Sequence, residues 1–424
     1  MLPKTINRGN QPMDNMVSKE EERRLRQRAK AYEKTCEEYE QEIDALKARA
    51  DYVAEFDYFL DLLTLPLQPS RLREKVGRPL IGLFCIQAPW ELFHAFGVHP
   101  VKLCSGSYTA QRLSAAYLPV LMCPMLKSYI GSMDFAGAAA GYDATIVPTT
   151  CDWVVKMPEI AREKIGPLHY LELPHVKQNE KGQKRWLEEI YALKQFLAEK
   201  TGVTLKRQGL LYSMNAFMHV WKLFQALIDL KRRNILPGIW FFCIANTFML
   251  DDLDRWAEQL ALVIQRFQTE APRQNPYKVF LAGSPVIFPN LKLLQLIEQA
   301  GMTVCADDLC SSERILPGAT VYDDPSEHGL LRALAERYHK ACICPTFADN
   351  ERRVNNILKI TGDHQMKGIV FHVLKGCHPY DIESFSIEKK VKDSGRKFLK
   401  IETDYVKEDS QNILTRLEAF KQTL

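Results

Sequence analysis

The sequence lacks the features that mark several large classes of protein. Its most apolar stretch, GIWFFCIANTFML at 238–250, is too short to span a bilayer, and its first residues contain no apolar run of the kind that a secretion signal needs. No block of basic residues occurs, and the formal net charge is only +4. These absences argue against a membrane protein, a secreted protein and a nucleic-acid partner. We therefore expect a cytoplasmic protein.

Two kinds of short motif are also missing. The pattern G-x-x-x-x-G-K-[ST] does not occur, which argues against the phosphate-binding loop by which many proteins cradle ATP. No ferredoxin-like run of closely spaced cysteines is present, and Cys342 and Cys344 have only one residue between them, too few for a zinc-ribbon pair. A metal site in this chain would therefore use cysteines that are dispersed along the sequence.

Cysteine itself is abundant, with eleven in 424 residues. The composition, 46% hydrophobic and 25% charged, is that of a globular protein, and the length predicts two or three domains. In a reducing compartment such thiols are more often metal ligands, catalytic groups or core residues than disulfides. The question is which cysteines lie in loops and which lie in cores.

The distribution of short apolar runs and helical periodicity divides the chain into five parts. Short apolar runs that alternate with helical periodicity predict α/β domains with parallel sheets, and long stretches of helical periodicity alone predict helical parts. The predicted parts are a flexible leader at 1–16, an N-terminal helical region and linker at 17–77, a first α/β domain at 78–178, a helical segment at 179–276 and a second α/β domain at 277–424.

The N-terminal region predicts one long helix from about Val17 to Leu63, because it is rich in Glu, Lys, Arg and Ala and contains no Pro or Gly. Apolar residues recur in it at alternating spacings of four and three, which makes a coiled-coil-like seam. The seam contains Ala, Cys and two Tyr, so we expect it to pack against its own domain and not against another chain. The seam residues are Leu25, Ala29, Tyr32, Cys36, Tyr39, Ile43 and Leu46.

Seven apolar runs predict strands, and YLELPHV at 170–176 is a weaker candidate. The runs of the first half are PLIGLFC at 79–85, HPVKLC at 99–104 and DATIVPTTC at 143–151. Those of the second half are KVFLAGSPVIFP at 278–289, GMTVCADDLC at 301–310, KGIVFHVLKGC at 367–377 and GRKFLKIETDY at 395–405.

Most cysteines follow these strands or lie in loops marked by proline. The crevice outside the carboxyl ends of parallel strands is where open α/β sheets bind ligands. Thiolates are the ligands that iron–sulfur clusters prefer, and a helix that begins directly after Cys151 is expected to lower the pKa of its thiol. The candidates at such positions are Cys85, Cys104, Cys123, Cys151, Cys310 and Cys377, with Cys342 and Cys344 as a loop pair.

The competing explanation is that free cysteines are small buried hydrophobic residues. Cys36 on the seam, Cys243 inside WFFCIAN and Cys305 in the middle of a strand fit that explanation. For the remaining cysteines, spacing alone leaves a dispersed cluster site and simple packing equally open.

Six sequence motifs together resemble the 2-hydroxyacyl-CoA dehydratase and benzoyl-CoA reductase superfamily. They are LPVLMCPMLKSYIG, DATIVPTTCDWVVKM, AGSPVIFPNLKLLQLIEQAG, ADDLCSSER, GIVFHVLKGCHPYDIE and KIETDYVKEDSQNILTRLEAF. The resemblance implies two flavodoxin-like α/β domains and a helical part, with an iron–sulfur cluster on dispersed cysteines. The dehydratase pattern of three cysteines falls on Cys123, Cys151 and Cys377.

Three further motifs, GLFCIQAPWELFHAFG, DDLCSSER and ACICP, resemble the branch of double-cubane cluster proteins, in which two four-iron cubanes share a bridging sulfide. By that resemblance six thiolates would hold the cluster, with Cys344 competing for the place of Cys342. The six implied ligands are Cys85, Cys123, Cys151, Cys310, Cys342 and Cys377. The chain departs from the family at His378, where an acidic residue is usual, and at Ser311 and Ser312, where Gly-like residues are usual.

The resemblance implies a reductase that receives low-potential electrons from a separate ATP-hydrolysing iron–sulfur activator, acts on a small substrate, forms a homodimer and is sensitive to oxygen. One alternative is a 2-hydroxyacyl-CoA dehydratase component with a single four-iron cluster, and another is a non-enzymatic electron-storage or structural protein. No catalytic residue is assigned, because packing or a solvated helix face explains each acid–base candidate as well. These candidates are His94, His99, His372, His378, Glu91 and Lys127.

Overall fold

The computed structural model describes residues 19–135, 141–161 and 165–424, so the predicted leader at 1–16 lies outside the described residues. Within these ranges the chain contains eight strands in two four-stranded parallel sheets, together with 16 α-helices. This confirms the predicted α/β class with two parallel sheets, a helical segment and a long N-terminal helix. No helix among the described residues is long and apolar enough to cross a membrane.

The first sheet has the strand order β2-β1-β3-β4, and every pair is parallel. All residues of β1 and β3 are buried, which explains why their sequences are continuous apolar runs and not alternating patterns. The fourth strand ends at Leu171, earlier than predicted. The strands are β1 (Leu80–Leu83), β2 (His99–Lys102), β3 (Ala144–Pro148) and β4 (Leu168–Leu171).

The second sheet repeats this arrangement with the order β6-β5-β7-β8, again parallel throughout. In both sheets the first and third strands of the half are neighbours, as in flavodoxin-like folds, where the ligand crevice opens between those two strands. The strands are β5 (Lys278–Gly283), β6 (Thr303–Asp307), β7 (Gly368–Leu374) and β8 (Lys397–Thr403).

The helices fall into four groups along the chain. The N-terminal ones are α1 (Lys19–Lys47), α2 (Asp57–Leu62) and α3 (Pro69–Val76). The first half contains α4 (Trp90–Ala95), α5 (Tyr108–Ser114), α6 (Pro124–Met133) and α7 (Asp152–Ala161). The helical segment contains α8 (Glu180–Thr201), α9 (Arg207–Arg232), α10 (Gly238–Asn246) and α11 (Leu253–Phe267). The second half contains α12 (Lys292–Gln299), α13 (Glu327–Tyr338), α14 (Glu351–Asp363), α15 (His378–Asp393) and α16 (Ser410–Lys421).

The N-terminal helix is shorter than predicted. It ends at Lys47 and not near Leu63, because the residues that follow are held by distant parts of the chain: the Arg49 guanidinium pairs with Glu298 at 2.9 Å, and Asp51 accepts a hydrogen bond from Trp240 Nε1 at 2.9 Å. Only the carboxyl-terminal part of the seam packs against the rest of the chain. Leu25 is 50% exposed, whereas Tyr39 is 3% exposed.

One hydrophobic core joins the N-terminal helices, the helical segment and both sheets. Helix α10 lies so close to β6 that a Cβ atom on Gly238 would approach the Val304 carbonyl oxygen to 2.6 Å. Cys243 in α10 and Cys305 in β6 are both fully buried in the protein interior, which agrees with their predicted role in packing.

Candidate functional site

Eight of the eleven cysteines line a single cavity at the carboxyl ends of the strands. Its volume is about 140 Å³, compared with roughly 10–15 Å³ for a single water. The rest of the wall is mostly apolar and includes Phe84, Leu126 and Val154. The cavity is lined by Cys85, Cys104, Cys123, Cys151, Cys310, Cys342, Cys344 and Cys377.

Three of these residues, which we call the helix-start cysteines, each stand directly before a helix. Cys123 precedes α6, Cys151 precedes α7 and Cys377 precedes α15. The carbonyl oxygen of each accepts the first backbone hydrogen bond of its helix at 3.0 Å. The helix therefore fixes the backbone of each cysteine locally, and the N–H groups of its first turn face the thiol side.

Two tertiary contacts bring the helix-start cysteines together. Trp153 Nε1, in the first turn of α7, donates to the carbonyl oxygen of Gly376 at 3.1 Å, and Gly376 precedes Cys377. Gly376 has a φ of +74°, and a Cβ atom there would come within 2.0 Å of the Leu121 carbonyl oxygen. Only glycine fits, because the segment before Cys123 passes directly over the turn before Cys377.

Four other residues, which we call the loop cysteines, lie in segments that do not start a helix. Cys85 follows β1, Cys310 follows β6, and Cys342 and Cys344 follow α13. The side-chain amide of Gln87 donates to Cys342 Sγ at 2.7 Å, which ties the first half of the chain to the second. These four positions depend on contacts between distant segments.

The pKa shifts of the thiols report which cysteines are close to one another. Burial raises the pKa of Cys85 well above its usual value, and negative charge on Cys344, Cys310 and Cys342 raises it further. Burial likewise raises the pKa of Cys377, and negative charge on Cys123 and Cys151 adds to the shift. The thiol charges that act on Cys85 come from loop cysteines and those that act on Cys377 come from helix-start cysteines, while Cys344 also raises the pKa of Cys151 across the cavity.

Cys104, which follows β2, lies between the two groups. Burial raises the pKa of its thiol to about 12, and negative charge on Cys310 from the loop group and on Cys123 from the helix-start group raises it further. Sequence reasoning placed Cys104 at the end of a strand but did not assign it as a ligand. Its position on the cavity wall agrees with its predicted place at the end of a strand.

The expectation that the start of a helix lowers the pKa of Cys151 is wrong in its net effect. Burial raises that pKa to about 11, and the backbone N–H groups of Val154 and Trp153 lower it by a smaller amount. Burial also raises the pKa of Cys342 to about 11. Without a cation beside them these thiols hold their protons at neutral pH, so their conversion to thiolates requires positive charge in the cavity.

A buried ionic network supports the loop that carries Cys310. Lys231 Nζ pairs with Asp307 and with Glu313 at 2.8 Å, and all three side chains are almost completely buried. Ser312, one of the three residues at which the chain departs from the family pattern, donates its hydroxyl to Asp307 at 2.7 Å. Ser311, which also departs from that pattern, accepts a hydrogen bond from the Val286 backbone at 3.1 Å. Both serines therefore brace the loop.

A second network holds the same loop from its other side. Arg353 binds both carboxylate oxygens of Asp308, at 2.5 and 3.1 Å, and also pairs with Glu383 on α15. Arg353 and Asp308 are buried, so removal of either partner would leave an uncompensated charge in the interior.

The donor set, thiols on a mostly apolar wall, is of the kind that binds an iron–sulfur group. Among the described residues, no group of three His, Cys, Asp or Glu side chains converges as one metal ion requires. A polynuclear cluster needs a different arrangement, because each thiolate binds a different iron and the ligands surround a larger volume. Dispersed thiols on an apolar cavity, with Lys102 and Arg314 also on its wall, meet that requirement.

The acid–base candidates lie elsewhere, with one exception. His94 contacts Ser213 Oγ at 2.8 Å, His99 contacts the Met249 carbonyl oxygen at 3.0 Å, and His372 lies between Ser284 and Thr403. None of these three lines the cysteine cavity. Only His378 lies near it, in the pocket described below.

Two charged candidates have structural partners. Glu91 is 1% exposed and pairs with Arg337, so the solvated helix face suggested for it is wrong. Lys127 is also buried, and its Nζ donates to the Val120 carbonyl oxygen at 2.8 Å.

The loop CSGSYTAQR at 104–112, whose small and basic residues could meet phosphates, is closed by the protein itself. The carboxylate of Glu38 on α1 accepts hydrogen bonds from Ser107 Oγ and from Tyr108 N, both at 2.7 Å, and from Thr109 N at 3.3 Å. An acidic side chain thus occupies the donors that an anion would use. The loop is a turn into helix α5, which Ser107 caps.

A second pocket adjoins the cavity. It shares Cys151, Trp153 and Thr346 with the cavity wall, and its volume is about 680 Å³. Its lining contains His175 and His378 but no Lys or Arg. Of the eight cysteines on the cavity wall, Cys151 also lines this pocket.

Comparison with known proteins agrees with the motifs. Residues 85–424 match the profile of the family described as 2-hydroxyglutaryl-CoA dehydratase, D-component. The putative dehydratase subunit YjiM of Escherichia coli strain K12 is 26% identical over 395 residues, which cover 88% of this chain and 99% of that protein. The beta subunit of (R)-2-hydroxyglutaryl-CoA dehydratase of Acidaminococcus fermentans is 24% identical over 368 residues, covering 82% of this chain and 93% of that protein.

A reductase is also among the relatives. One subunit of the benzoyl-CoA reductase of Thauera aromatica is 20% identical over 320 residues, which cover 72% of this chain and 81% of that protein. Because the family profile matches most of the chain and the relatives are similar over nearly their full length, the chain belongs to the 2-hydroxyglutaryl-CoA dehydratase D-component family, which is related to both dehydratase and reductase components.

Proposed function

We propose that the chain is the iron–sulfur component of a reductase and that its cavity holds a double-cubane cluster of about eight irons. The observation that carries the proposal is one cavity lined by cysteines from two structural settings, three at helix starts and four in loops. Two four-iron units that share a sulfide require two such groups side by side. When bound, the cluster would supply electrons of low potential to a substrate.

The ligands in this proposal are Cys123, Cys151 and Cys377 for one unit and three loop cysteines for the other. Cys85 and Cys310 belong to the loop group, and the last place falls to Cys342 or Cys344. Negative charge on Cys344 affects the pKa of Cys85, Cys310 and Cys151, which supports Cys344 as the more central of the two. Cys342 instead receives the hydrogen bond from Gln87.

The chain's own residues prepare the site in two ways. The apolar wall, with Phe84, Leu126 and Val154, excludes water from the thiolates, and a dry surrounding strengthens their interaction with metal. The adjoining pocket offers a small substrate a route that ends at Cys151. His378 is placed on that route, where it would contact a bound substrate.

We further propose that the chain receives its electrons from a separate ATP-hydrolysing protein and acts as a homodimer. The sequence contains no phosphate-binding loop of the G-x-x-x-x-G-K-[ST] kind, so an ATP-dependent reaction of that kind needs a partner. The relatives named above are subunits, which supports function within an assembly.

The second candidate is a 2-hydroxyacyl-CoA dehydratase component that holds one four-iron cluster on Cys123, Cys151 and Cys377. The name of the Acidaminococcus fermentans relative favours it. Against it, the pocket beside the cavity has no Lys or Arg on its lining to meet the phosphates of coenzyme A. The loop cysteines would also have no role. A non-enzymatic storage or structural protein remains a third alternative.

The deciding experiment is the iron and acid-labile sulfide content of the chain, purified without oxygen, together with an electron paramagnetic resonance spectrum of the reduced protein. We expect about eight irons per chain. About four irons, with dehydration of an acyl-CoA, would favour the dehydratase. A chain that binds no iron would end both proposals. Cys151→Ser removes iron if the thiols are ligands and leaves the metal content unchanged if they are structural.

A further inference from the structure

The cavity wall contains a buried arginine without a carboxylate partner. Arg314 is 5% exposed and lines the cavity. Its Nε donates to the Asp308 carbonyl oxygen, its Nη1 donates to the Ile343 carbonyl oxygen at 3.1 Å, and its Nη2 donates to the Tyr380 hydroxyl at 2.5 Å. These neutral acceptors use three of its five N–H groups and balance none of its charge.

The nearest carboxylate is already engaged. Both oxygens of Asp308 are bound by Arg353, and the Gly283 backbone N–H also donates to one of them at 3.3 Å. Among the described residues, no carboxylate oxygen lies within 4 Å of the Arg314 guanidinium. Two other buried cations of this region, Lys231 and Arg353, each pair with two carboxylates.

Lys102 repeats this situation on the opposite half of the chain. Its Nζ lies 3.3 Å from the Asn246 carbonyl oxygen and 3.5 Å from that of Ala245, and it too lines the cavity. Lys102 retains some accessible surface, as expected for a side chain on a cavity wall, yet burial lowers its pKa to about 8. Negative charge on Cys104 or Cys310 would raise that pKa and keep the ammonium charged.

A buried charge is costly unless an opposite charge compensates it. Tyr380 and Asp308 contribute most to stabilising the Arg314 guanidinium, but Asp308 is already bound by Arg353. The remaining groups that stabilise it are the thiols of Cys344 and Cys310, which line the cavity with Arg314. The compensating anion for Arg314 is therefore located in the cavity and on the side of the loop cysteines.

We propose that the positive charges of Arg314 and Lys102 balance the negative charge of the iron–sulfur group on the loop cysteines and raise the reduction potential of that group. The inference rests on the proposed function, because it requires that group. Reduction adds one electron, and a fixed positive charge nearby stabilises the reduced form more than the oxidised form. Beside the helix-start cysteines the corresponding cation is Lys127, which lowers the pKa of Cys123 but, unlike Arg314 and Lys102, does not line the cavity. The two iron units would then differ in potential.

The test is a potentiometric titration of the iron-loaded protein, followed by electron paramagnetic resonance. Arg314→Gln removes the charge and keeps hydrogen-bond donors, and Arg314→Lys keeps the charge. We expect Arg314→Gln to lower the potential of one unit by at least 59 mV, which is a tenfold change in a one-electron equilibrium. Arg314→Lys should shift it less. Lys222→Gln, an exposed change on α9, gives the same loss of net charge and should leave both potentials unchanged.

Iron content separates the possible outcomes. If Arg314→Gln binds iron as the parent protein does and its potentials are unchanged, the inference is wrong while the proposed function stands. If the parent protein binds no iron, the proposed function itself fails. Should Arg314→Gln lose its iron while Arg314→Lys retains it, the charge requirement is supported. If both lose iron, Lys102→Met decides: a lowered potential supports the inference and an unchanged one overturns it.

Discussion

The helix-start cysteines and the loop cysteines present thiols to one cavity in different ways. Cys123, Cys151 and Cys377 each take their backbone geometry from the helix that follows them. Cys310 takes its position from ionic networks that bring Lys231 and Arg353 from distant segments. The same chemistry thus rests on local structure in one group and on tertiary structure in the other. The ligands of one cofactor can therefore differ in how strongly their positions depend on substitutions of the residues around them.

The two groups also differ in charge. Around the helix-start cysteines the polar support consists mainly of backbone N–H groups, such as those of Val154 and Trp153 beside Cys151. Around Cys310 it consists of full charges, including Arg314. Changes near the loops should therefore alter stability and electrostatics more than changes near the helices.

The largest expected effect tests whether the groups hold separate iron units. Cys377→Ser and Cys310→Ser should each lower the iron content of anaerobically loaded protein by about half, from about eight to about four irons per chain. The reason is that each substitution removes one ligand from one unit only. The measurement is iron and acid-labile sulfide, with the resonance spectrum of what remains.

Cys36→Ser is the matched control, since Cys36 lies on α1 away from the cavity, and it should retain all iron. If either cavity substitution abolished all iron, the two groups would act as one site. If Cys377→Ser alone removed iron, the single-cluster alternative would be favoured.

The next effect concerns stability. Asp308→Asn should lower the free energy of unfolding of the iron-free chain by about 3 kcal/mol, because Arg353 then keeps a buried charge with one carboxylate fewer. Urea unfolding measures this. Lys392→Gln breaks an exposed ion pair on α15, which begins after the helix-start residue Cys377, and should cost no more than about 0.5 kcal/mol. Equal costs would contradict the claim that the loops depend more on charge.

A third effect is that cysteines of both groups make the free energy of unfolding depend on pH. Burial raises the pKa of Cys151 and of Cys342 to about 11, above about 8.5 in the unfolded chain. A raised pKa contributes stability that is fully present below about pH 8.5 and is lost as the pH rises to about 11. At about 1.4 kcal/mol per pKa unit, each thiol contributes about 3 kcal/mol.

This contribution is measured as the change in unfolding free energy of the iron-free chain between pH 8.5 and 11. Cys151→Ser and Cys342→Ser should each make that change smaller than in the parent protein. A change that is the same in all three proteins would show that these thiols are not buried in their neutral form.

The smallest effect is local. Pro124→Ala, at the first position of α6 beside Cys123, should lower the free energy of unfolding by about 0.4–1 kcal/mol, chiefly because the unfolded chain becomes more flexible. The iron content should be unchanged, since the helix still fixes the backbone of Cys123. Loss of iron in this variant would mean that proline, and not the helix, positions the thiol.

The contrast also explains what the sequence could predict. The helix-start cysteines were readable because each stands between an apolar run or a proline turn and a helical pattern, a local signal. The strands and the buried roles of Cys243 and Cys305 followed from the same local patterns. Arg314 and Lys102 carry no such local signal. Their proposed role depends on the absence of a carboxylate partner among the described residues of the folded chain.

Two other features were hidden for the same reason. Helix α1 ends at Lys47 because Glu298 and Trp240 hold the residues that follow, about 190 to 250 positions further along the chain. Glu38 closes the loop at 104–112 from a distant helix. Neither contact can be predicted from a periodic pattern of residues in the sequence. The order of the strands in each sheet, by contrast, follows from general rules of parallel α/β folds.

The central claim is that the two groups of cysteines each hold an iron unit in the same cavity. Anomalous diffraction at the iron absorption edge, from crystals grown without oxygen, tests it most directly. The account predicts two adjacent iron peaks, one beside Cys123, Cys151 and Cys377 and the other beside Cys85 and Cys310. A single peak at the helix-start cysteines, or no iron in the cavity, would contradict it.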